Sequence, residues 1–300
     1  MQRVLEVTAI RKDPDQPLGF LLRTDCQQMV QSFAFQGEHG AYSEQAAVTY
    51  CGKGTVTEPH KTLREVFRSV QEGKTELGVV PAENSIEGSI NQTYDLLFEF
   101  PLRICGEIKI KIVHCLLALP VTTKKDLTLV YSHPQALAQC AKYLETLNVG
   151  VEPAFDTAGS AKMIRERGIR NAGAIASEHS AELYGLEILD REIEDFSGNF
   201  TRFFVISLDE PQRTGKDKTT VVFGTKHVPG SLHRALGELA FRKINLTRIE
   251  SRPMRTTPWE YHFFVDFEGH RSDASCVEAL EAMKKSTTFL RVLGSYPRST

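Results

Sequence analysis

Apolar positions between residues 32 and 208 occur in two alternating arrangements, short continuous runs and stretches with helical spacing. The continuous runs are typical of buried strands, and the helical spacing is typical of amphipathic helices. The predicted strands cover residues 32–36, 77–81, 129–131, 173–177 and 203–208, and residues 108–119 form a long apolar run with almost no breaks. The predicted helices begin at Ser43 and cover about 88–99, 134–147 and 178–184. Strands that alternate with helices indicate βαβ units and sheets buried on both faces.

A second pattern begins after residues 211–218, a polar segment with Pro211 and Gly215 that is predicted to be a linker. The elements predicted after it are, in order, strand 219–225, helix 231–243, strands 246–255 and 260–267, helix 274–285 and strand 289–293. The order βαββαβ predicts a ferredoxin-like α+β domain, in which both helices cover one face of an antiparallel sheet.

Residues 1–32 lie outside both patterns. They contain a predicted strand at residues 4–10 and a turn-rich break at residues 13–17. We treat them as an N-terminal extension without an assigned role.

The net charge of −2 over 300 residues argues against strong electrostatic attraction to nucleic acids or membranes. The six cysteines include no CxxC pair, and the histidines show no HExxH spacing, so no metal site is predicted. No secretory signal is visible, and no apolar run approaches the roughly 18 residues of a membrane-spanning helix. We therefore expect a reduced, cytoplasmic protein with two folded domains.

Three predicted strands run into segments rich in Ser, Thr, Asn and Asp just before a helix, at residues 81–85, 131–135 and 156–160. Such residues cap helix N-termini, whose free N–H groups and positive dipole end attract anions. These junctions gather at the carboxyl ends of the strands in an open α/β sheet, so together they predict a pocket for a carboxylate-bearing metabolite. Each junction alone is more simply explained as an ordinary helix start.

Single residues indicate a binding or catalytic role less strongly than these three junctions do. Thr201 lies where a polar stretch meets a buried strand, and Arg202 beside it could clamp a carboxylate in a bidentate manner. His133 has the chemistry of a general base, but its place at a helix start also suits a structural role. Gly37 and Gly40 are not followed by Gly-Lys-Ser/Thr, which argues against a nucleotide-binding loop.

Residues 36–44, 83–89, 131–137 and 199–203, read together, resemble the prephenate dehydratase family. The order and spacing of these segments also match, and the resemblance extends from about Phe33 to Thr300. It implies a catalytic domain at 33–210 with two α/β lobes, similar to a periplasmic-binding-protein fold. Lobe one would be about 33–110 and 190–210, and lobe two about 111–189. The implied reaction converts prephenate to phenylpyruvate with loss of CO2 and water, and it implies no metal or organic cofactor.

The resemblance also implies the site residues. The implied catalytic residues are Thr201, Glu83, Asn84 and Ser85, and the implied substrate contacts are Ala41, Tyr42, Ser43, Ser132, Gln139, Asp156, Thr157, Arg202 and Phe203. Thr201 is expected to hydrogen-bond the leaving hydroxyl or to relay a proton, since threonine is a poor acid. Helix N-termini and Arg202 would anchor the side-chain carboxylate. The ring carboxylate should be held loosely, because strong stabilisation there would oppose the loss of CO2.

Residues 219–300 resemble an ACT domain, a regulatory module that binds amino acids. The resemblance implies a phenylalanine site formed between two subunits, and therefore a homodimer or homotetramer. The implied effector residues are Pro229, Gly230, Ser231, Leu232, Asn245, Leu246, Glu250, Ser251, Arg252 and Pro253.

Two other functions remain open from the residues alone. The same fold could act mainly on arogenate, which carries an amino group in place of the keto group of prephenate. Alternatively, the chain could be a two-lobed, amino-acid-sensing binding protein without catalysis. The presence of Thr201 and of residues 83–85 argues against the second alternative.

Overall fold

The computed structural model describes residues 32–52, 54–253 and 261–299, so the features predicted within residues 1–31 lie outside the described residues. The strands are β1 Ser32–Gln36, β2 Val56–His60, β3 Leu77–Asn84, β4 Gly88–Ser89, β5 Arg103–Lys111, β6 Cys115–Ala118, β7 Leu129–Ser132, β8 Gly150–Pro153, β9 Ala172–Ala176, β10 Glu187–Asp190, β11 Phe200–Ser207, β12 Asp217–Gly224, β13 Leu246–Pro253, β14 Tyr261–Glu268 and β15 Phe289–Pro297. The α-helices are α1 Tyr42–Cys51, α2 Leu63–Gln71, α3 Asn91–Glu99, α4 Pro134–Gln139, α5 Ala141–Leu147, α6 Thr157–Arg167, α7 Glu178–Tyr184, α8 Ser231–Ala240 and α9 Ala274–Ser286, and one 3-10 turn covers Lys124–Asp126. No helix among the described residues is long and apolar enough to span a membrane.

The first lobe is built on a sheet with the order β2-β1-β3-β11-β5, and β4 pairs with β3. Strands β1, β2 and β3 run parallel, while β11 is antiparallel to both of its neighbours. Side chains alternate along β1, so Phe33 and Phe35 enter one hydrophobic cluster and Ala34 enters another on the opposite face. The sheet is therefore buried on both faces, as the apolar runs predict.

The second lobe is a separate sheet with the order β10-β6-β9-β7-β8, in which β7 is parallel to β8 and β9. The chain passes between the two sheets twice, at residues 112–114, the first crossover, and at residues 191–199, the second crossover. The long apolar run 108–119 does not form a single element, because it supplies the end of β5 to one sheet and β6 to the other. Hydrophobicity alone does not reveal a change of sheet.

The single helix predicted at 134–147 is wrong, because it breaks into α4 and α5 at Cys140. The Gln139 carbonyl accepts a hydrogen bond of 2.7 Å from the Asp195 N–H of the second crossover. The Asp195 carboxylate in turn accepts from the Lys142 N–H at 3.3 Å. The crossover thus satisfies backbone groups at the break that a continuous helix would pair internally.

Other element boundaries also differ from prediction, among them the starts of α3 and β11. The helix predicted from residue 88 begins at Asn91, because Gly88 and Ser89 pair with the end of β3. The strand predicted from residue 203 begins at Phe200, since its first residues pair with both β3 and β5. Thr201 and Arg202 are consequently neighbours within a paired strand, and their side chains lie on opposite faces of the sheet.

The C-terminal sheet has the order β13-β14-β12-β15 and is antiparallel throughout. Helices α8 and α9 cover one face, and the other face packs against the first lobe, where Phe264 and Tyr296 join the cluster that contains Tyr94 and Phe204. Strand β12 begins at Asp217, inside the predicted linker 211–218, because pairing with β15 extends it in that direction. The order βαββαβ is the one that the sequence predicts.

Candidate active site

A cavity of about 350 Å³ lies between the two lobes, next to the C-terminal ends of β1, β7 and β8. The predicted site residues that line it are Ala41, Tyr42, Ser43, Asn84, Gln139, Asp156, Thr157, Thr201 and Phe203. Lining residues that the sequence did not single out include Gln92, His114, Gln135 and Phe155. A cleft of this size between two lobes is a common place for a small-molecule site.

Helices α1, α4 and α6 begin at the wall of this cavity. His133 caps α4 by accepting a hydrogen bond from the Gln135 N–H, and Asp156 caps α6 by accepting one from the Gly159 N–H. Within the described residues, the lining contains neither lysine nor arginine. Binding of an anion here would therefore depend on helix N-termini and on polar side chains.

The lobes contact each other beside the cavity through the backbone at Gly40. Its carbonyl accepts hydrogen bonds from the Ser177 hydroxyl at 2.8 Å and the Ser180 hydroxyl at 3.0 Å. Gly40 has φ +93°, and a Cβ at this position would lie 2.8 Å from Ser180 Oγ, so the close approach requires glycine. A second contact across the lobes is the ion pair of Lys162 Nζ with Glu38 Oε2 at 2.8 Å.

The Asp156 carboxyl has a raised pKa. Burial is the main cause, and the nearby Glu38 carboxylate raises the pKa further, against the lowering effect of the hydrogen bond from the Gly159 N–H. Such a carboxyl takes up a proton more readily than an exposed one, which reduces its repulsion of an anionic ligand.

Thr201 and Asn84 face each other across the β3–β11 pair at the cavity wall. Asn84 Nδ2 donates to Thr201 Oγ at 3.0 Å and to Asn199 Oδ1 at 2.7 Å. Asn199 Nδ2 donates in turn to Gln139 Oε1 at 2.9 Å, which links the first lobe to α4 of the second. His114 Nε2 lies 2.9 Å from the same Gln139 oxygen. One hydrogen-bonded chain therefore joins both lobes at the cavity.

Comparison with known proteins agrees with this architecture. The family model "Prephenate dehydratase" matches residues 33–211, and the model "ACT domain" matches residues 219–284. The chain belongs to the prephenate dehydratase family. The bifunctional chorismate mutase/prephenate dehydratase of Pseudomonas aeruginosa is 39% identical over 266 residues, which cover 89% of this chain and 73% of that one. The chloroplastic arogenate dehydratase/prephenate dehydratase 2 of Arabidopsis thaliana is 43% identical over 280 residues, again 89% and 73% of the two chains.

Solved structures also resemble most of this chain. Prephenate dehydratase from Arthrobacter aurescens, solved in complex with L-Phe, has a TM-score of 0.82 at 32% identity, covering 89% of this chain and 90% of that one. A structure described as GqqA, a novel type of quorum quenching acylase, has a TM-score of 0.82 at 36% identity, covering 90% and 98%. The two-lobed α/β domain with a ferredoxin-like ACT domain is thus the fold of this prephenate dehydratase family member.

The prediction that Arg202 clamps the substrate is wrong for this structure, because its side chain lies on the face of β11 opposite the cavity. There it donates to Glu107 Oε2 at 2.7 Å, to Asp266 Oδ2 at 2.7 Å and to the Tyr296 hydroxyl at 3.1 Å. Asp266 and Tyr296 belong to the ACT sheet. Arg202 therefore joins the prephenate dehydratase domain to the ACT domain, and the strand alternation explains why it cannot also face the cleft.

Three other predicted site residues lie outside the cavity lining. Glu83 alternates with Asn84 and faces Arg248 of the ACT domain at 3.5 Å. Ser85 donates to the Gly198 carbonyl at 3.0 Å, which holds the second crossover against β3. Ser132 is fully buried and donates to the Ile175 carbonyl at 2.6 Å, so it connects β7 to β9 and does not cap α4.

The predicted effector residues of the ACT domain fall into two segments. Pro229, Gly230, Ser231 and Leu232 lie at the start of α8, while Asn245, Leu246, Glu250, Ser251, Arg252 and Pro253 precede or form the edge strand β13. Leu232 and Leu246 pack in one hydrophobic cluster. Glu250 and Arg252 instead contact the prephenate dehydratase domain, through Ser89 at 2.7 Å and Asp95 at 3.3 Å. Ser251, between them, is exposed.

Besides Gln92, Gln135 and Phe155 of the cavity lining, sequence reasoning missed His114 and Asn199, which belong to the hydrogen-bonded chain at the cavity. A signal existed for each. His114 is a polar residue inside the apolar run 108–119, and Asn199 opens the segment 199–203 that carries the family resemblance. A histidine or an asparagine alone does not indicate a functional site, because such side chains in buried positions usually make ordinary structural hydrogen bonds. Their importance depends on Gln139 and Asn84, which are distant in sequence.

Proposed function

We propose that this chain converts prephenate to phenylpyruvate, CO2 and water, and that Thr201 donates a hydrogen bond to the leaving hydroxyl. In this reaction the C–C bond to the ring carboxylate breaks, and its electron pair enters the ring. The C–O bond opposite it breaks at the same time, and the departing hydroxide takes up one proton to form water. The product is an aromatic ring, so the site need only orient the substrate and assist the departure of hydroxide.

The observation that carries this proposal is the hydrogen bond from Asn84 to Thr201. Because Asn84 Nδ2 is the donor, the Thr201 oxygen is the acceptor, and its own proton remains free for a ligand. Among the described residues, the Thr201 hydroxyl donates to no other protein group. A hydroxyl in this state can donate to a leaving oxygen at the cavity wall.

The two carboxylates of the substrate would meet different surroundings. The N-termini of α1 and α6, with Ser43 and Thr157, can bind the side-chain carboxylate without a cation. The absence of lysine and arginine from the described lining suits the ring carboxylate, which must lose its charge as CO2. A strong cationic partner there would stabilise the substrate more than the transition state.

The same site could accept arogenate, since relatives such as the Arabidopsis protein carry both names. Acyl transfer, suggested by the name of one similar structure, has less support. It would require a nucleophile activated by a base, whereas the Asn84 amide that contacts Thr201 is a hydrogen-bond donor.

For regulation, we propose that phenylalanine binds the ACT domain in a homodimer or homotetramer. The similar Arthrobacter structure was solved in complex with L-Phe, and this chain carries an ACT domain. Among the described strands, β13 pairs on one side only, with β14. Its other edge offers backbone N–H and C=O groups to a second subunit.

Phenylpyruvate formation from prephenate and from arogenate, measured with and without phenylalanine, tests the function. Thr201→Val keeps the shape of the side chain and removes the hydroxyl, so we expect kcat to fall roughly 10²–10⁴-fold with little change in KM. Thr201→Ser is the matched control and should retain most of the activity. If the wild-type protein turns over neither substrate, or if Thr201→Val has normal kcat, the proposal is refuted.

A further inference from the structure

The orientation of the amide of Asn84 is determined by the backbone. Its Oδ1 atom accepts hydrogen bonds from the N–H groups of Ile86 at 3.0 Å and Glu87 at 3.1 Å. The opposite orientation would place the NH2 group against two other donors, at a cost for each unpaired buried group of about 1–3 kcal/mol. The side chain is almost fully buried, with 4% of its surface exposed. Nδ2 must therefore face Thr201 and Asn199.

The orientation of the Asn84 amide also determines the orientations of the Asn199 and Gln139 amides. Because Asn84 donates to Asn199 Oδ1, Asn199 must present its NH2 group to Gln139. Gln139 Oε1 is then an acceptor, and its Nε2 donates to the Glu87 carboxylate at 3.0 Å. Both ends of this hydrogen-bonded series, Asn84 and Gln139, thus contact the turn at residues 86–87. Reversing any single amide creates at least two donor–donor or acceptor–acceptor contacts.

The same logic determines the tautomer of His114. Its Nε2 lies 2.9 Å from Gln139 Oε1, which has no proton, so Nε2 must carry one. Nδ1 lies 3.2 Å from the Tyr42 hydroxyl, which itself donates to the Val113 carbonyl at 2.6 Å, and burial lowers the pKa of His114. His114 therefore acts on Gln139 as a hydrogen-bond donor through Nε2.

We propose that Asn199 and His114 are positioning residues for the dehydration, because both contact Gln139 Oε1 and hold this amide of the second lobe at the cavity wall, beside the Asn84–Thr201 pair. This inference rests on the proposed role of Thr201. Asn199 lies in the second crossover and His114 in the first, while Gln139 belongs to the second lobe. The position of the Gln139 amide beside Asn84 and Thr201 consequently depends on both lobes being in contact, and opening of the cleft would separate Gln139 from Asn199.

Two pairs of variants test this proposal in the full-length protein. Asn199→Asp is nearly isosteric but offers Gln139 Oε1 no donor, so kcat should fall about 10-fold to 100-fold while KM changes less than about 3-fold. His114→Gln places a nitrogen donor at the same number of bonds from Cα as Nε2 and should retain activity. His114→Asn places its donor at the Nδ1 position and should lose kcat as Asn199→Asp does.

Thermal unfolding of each variant is measured first, and kinetics are recorded where all of them are folded. If His114 only stabilises the core, His114→Asn should lower the unfolding temperature without a selective fall in kcat. In that case His114→Gln should have no higher kcat than His114→Asn. If Thr201→Val is inactive while Asn199→Asp and His114→Asn keep normal kcat, the inference is overturned and the proposed function stands. If Thr201→Val is active, the role of Thr201 and this inference fail together. Should Asn199→Asp not fold at any temperature, the two His114 variants decide the question alone.

Discussion

Replacement of Arg202 by methionine removes one of two cations from a buried cluster that spans the dehydratase and ACT domains. Arg202 and Lys218 face the buried carboxylates of Glu107 and Asp266, so the buried part of the cluster has two positive and two negative groups. The more exposed Glu83 carboxylate lies 3.7 Å from Arg202. The side chains of Glu107 and Asp266 are fully buried, and that of Arg202 is 9% exposed. The variant would leave one buried negative charge without a partner.

The magnitude follows from this imbalance. Removing one partner of a buried ion pair typically costs about 3–5 kcal/mol, because the remaining charge stays desolvated. The methionine recovers some apolar contact with Phe204, over whose ring the guanidinium lies at 4.7 Å, so the lower end of that range is expected. The double variant Arg202→Met/Asp266→Asn restores the charge balance and should be more stable than Arg202→Met alone.

Urea unfolding of the wild type, Arg202→Met and the double variant measures these differences. The matched control is Arg298→Met, which removes an exposed ion pair with Glu268 and should change the free energy of unfolding by less than about 1 kcal/mol. Kinetics of Arg202→Lys separate the two roles considered for this residue. Arg202→Lys keeps the charge but not the three directed bonds, so stability should fall while the KM for prephenate stays near normal.

Two results would contradict this reasoning. A loss below about 1 kcal/mol for Arg202→Met would mean that the cluster is solvated or rearranges. A large increase in KM for Arg202→Lys, with stability unchanged, would restore the substrate-clamp role that the position of Arg202 argues against.

Three further predictions concern packing, pH and regulation. Gly294→Ala should destabilise the protein by at least about 1 kcal/mol in thermal unfolding, because its Cβ would lie 2.1 Å from the Ile104 carbonyl oxygen. Gly198→Ala is the control, since a Cβ at Gly198 would have no atom within 4 Å. Burial lowers the pKa of His114, so the unfolded state binds the proton more readily; wild-type stability relative to His114→Gln should therefore fall as the pH drops below about 6.5, measured by urea unfolding between pH 5 and 8. Ser251→Ala should raise the phenylalanine concentration that halves activity, and an unchanged inhibition curve would remove Ser251 from the effector site.

Local pattern was sufficient for those elements whose signals are contiguous in the chain. Helix α7 and strand β1 have the predicted bounds, because apolar spacing, and for α7 also the Ser177 cap, act over a few neighbouring residues. The βαββαβ order of the ACT domain was predicted for the same reason. The family motifs also indicated Thr201 and Asn84 at the cavity, although not how they are hydrogen-bonded.

Only the tertiary structure decided which face of the β3–β11 pair meets the cleft. Period-2 alternation predicts that Thr201 and Arg202 point in opposite directions, but it does not say which of the two faces the substrate. That depends on the ACT sheet, whose Asp266 is 64 residues away in sequence and binds Arg202. Likewise, Asn84 and Asn199 are 115 residues apart, and the direction of their hydrogen bond becomes determined only when both crossovers and both lobes are in place. Contacts of such separation leave no periodic signal in a single chain, because nothing in the local sequence records the partner.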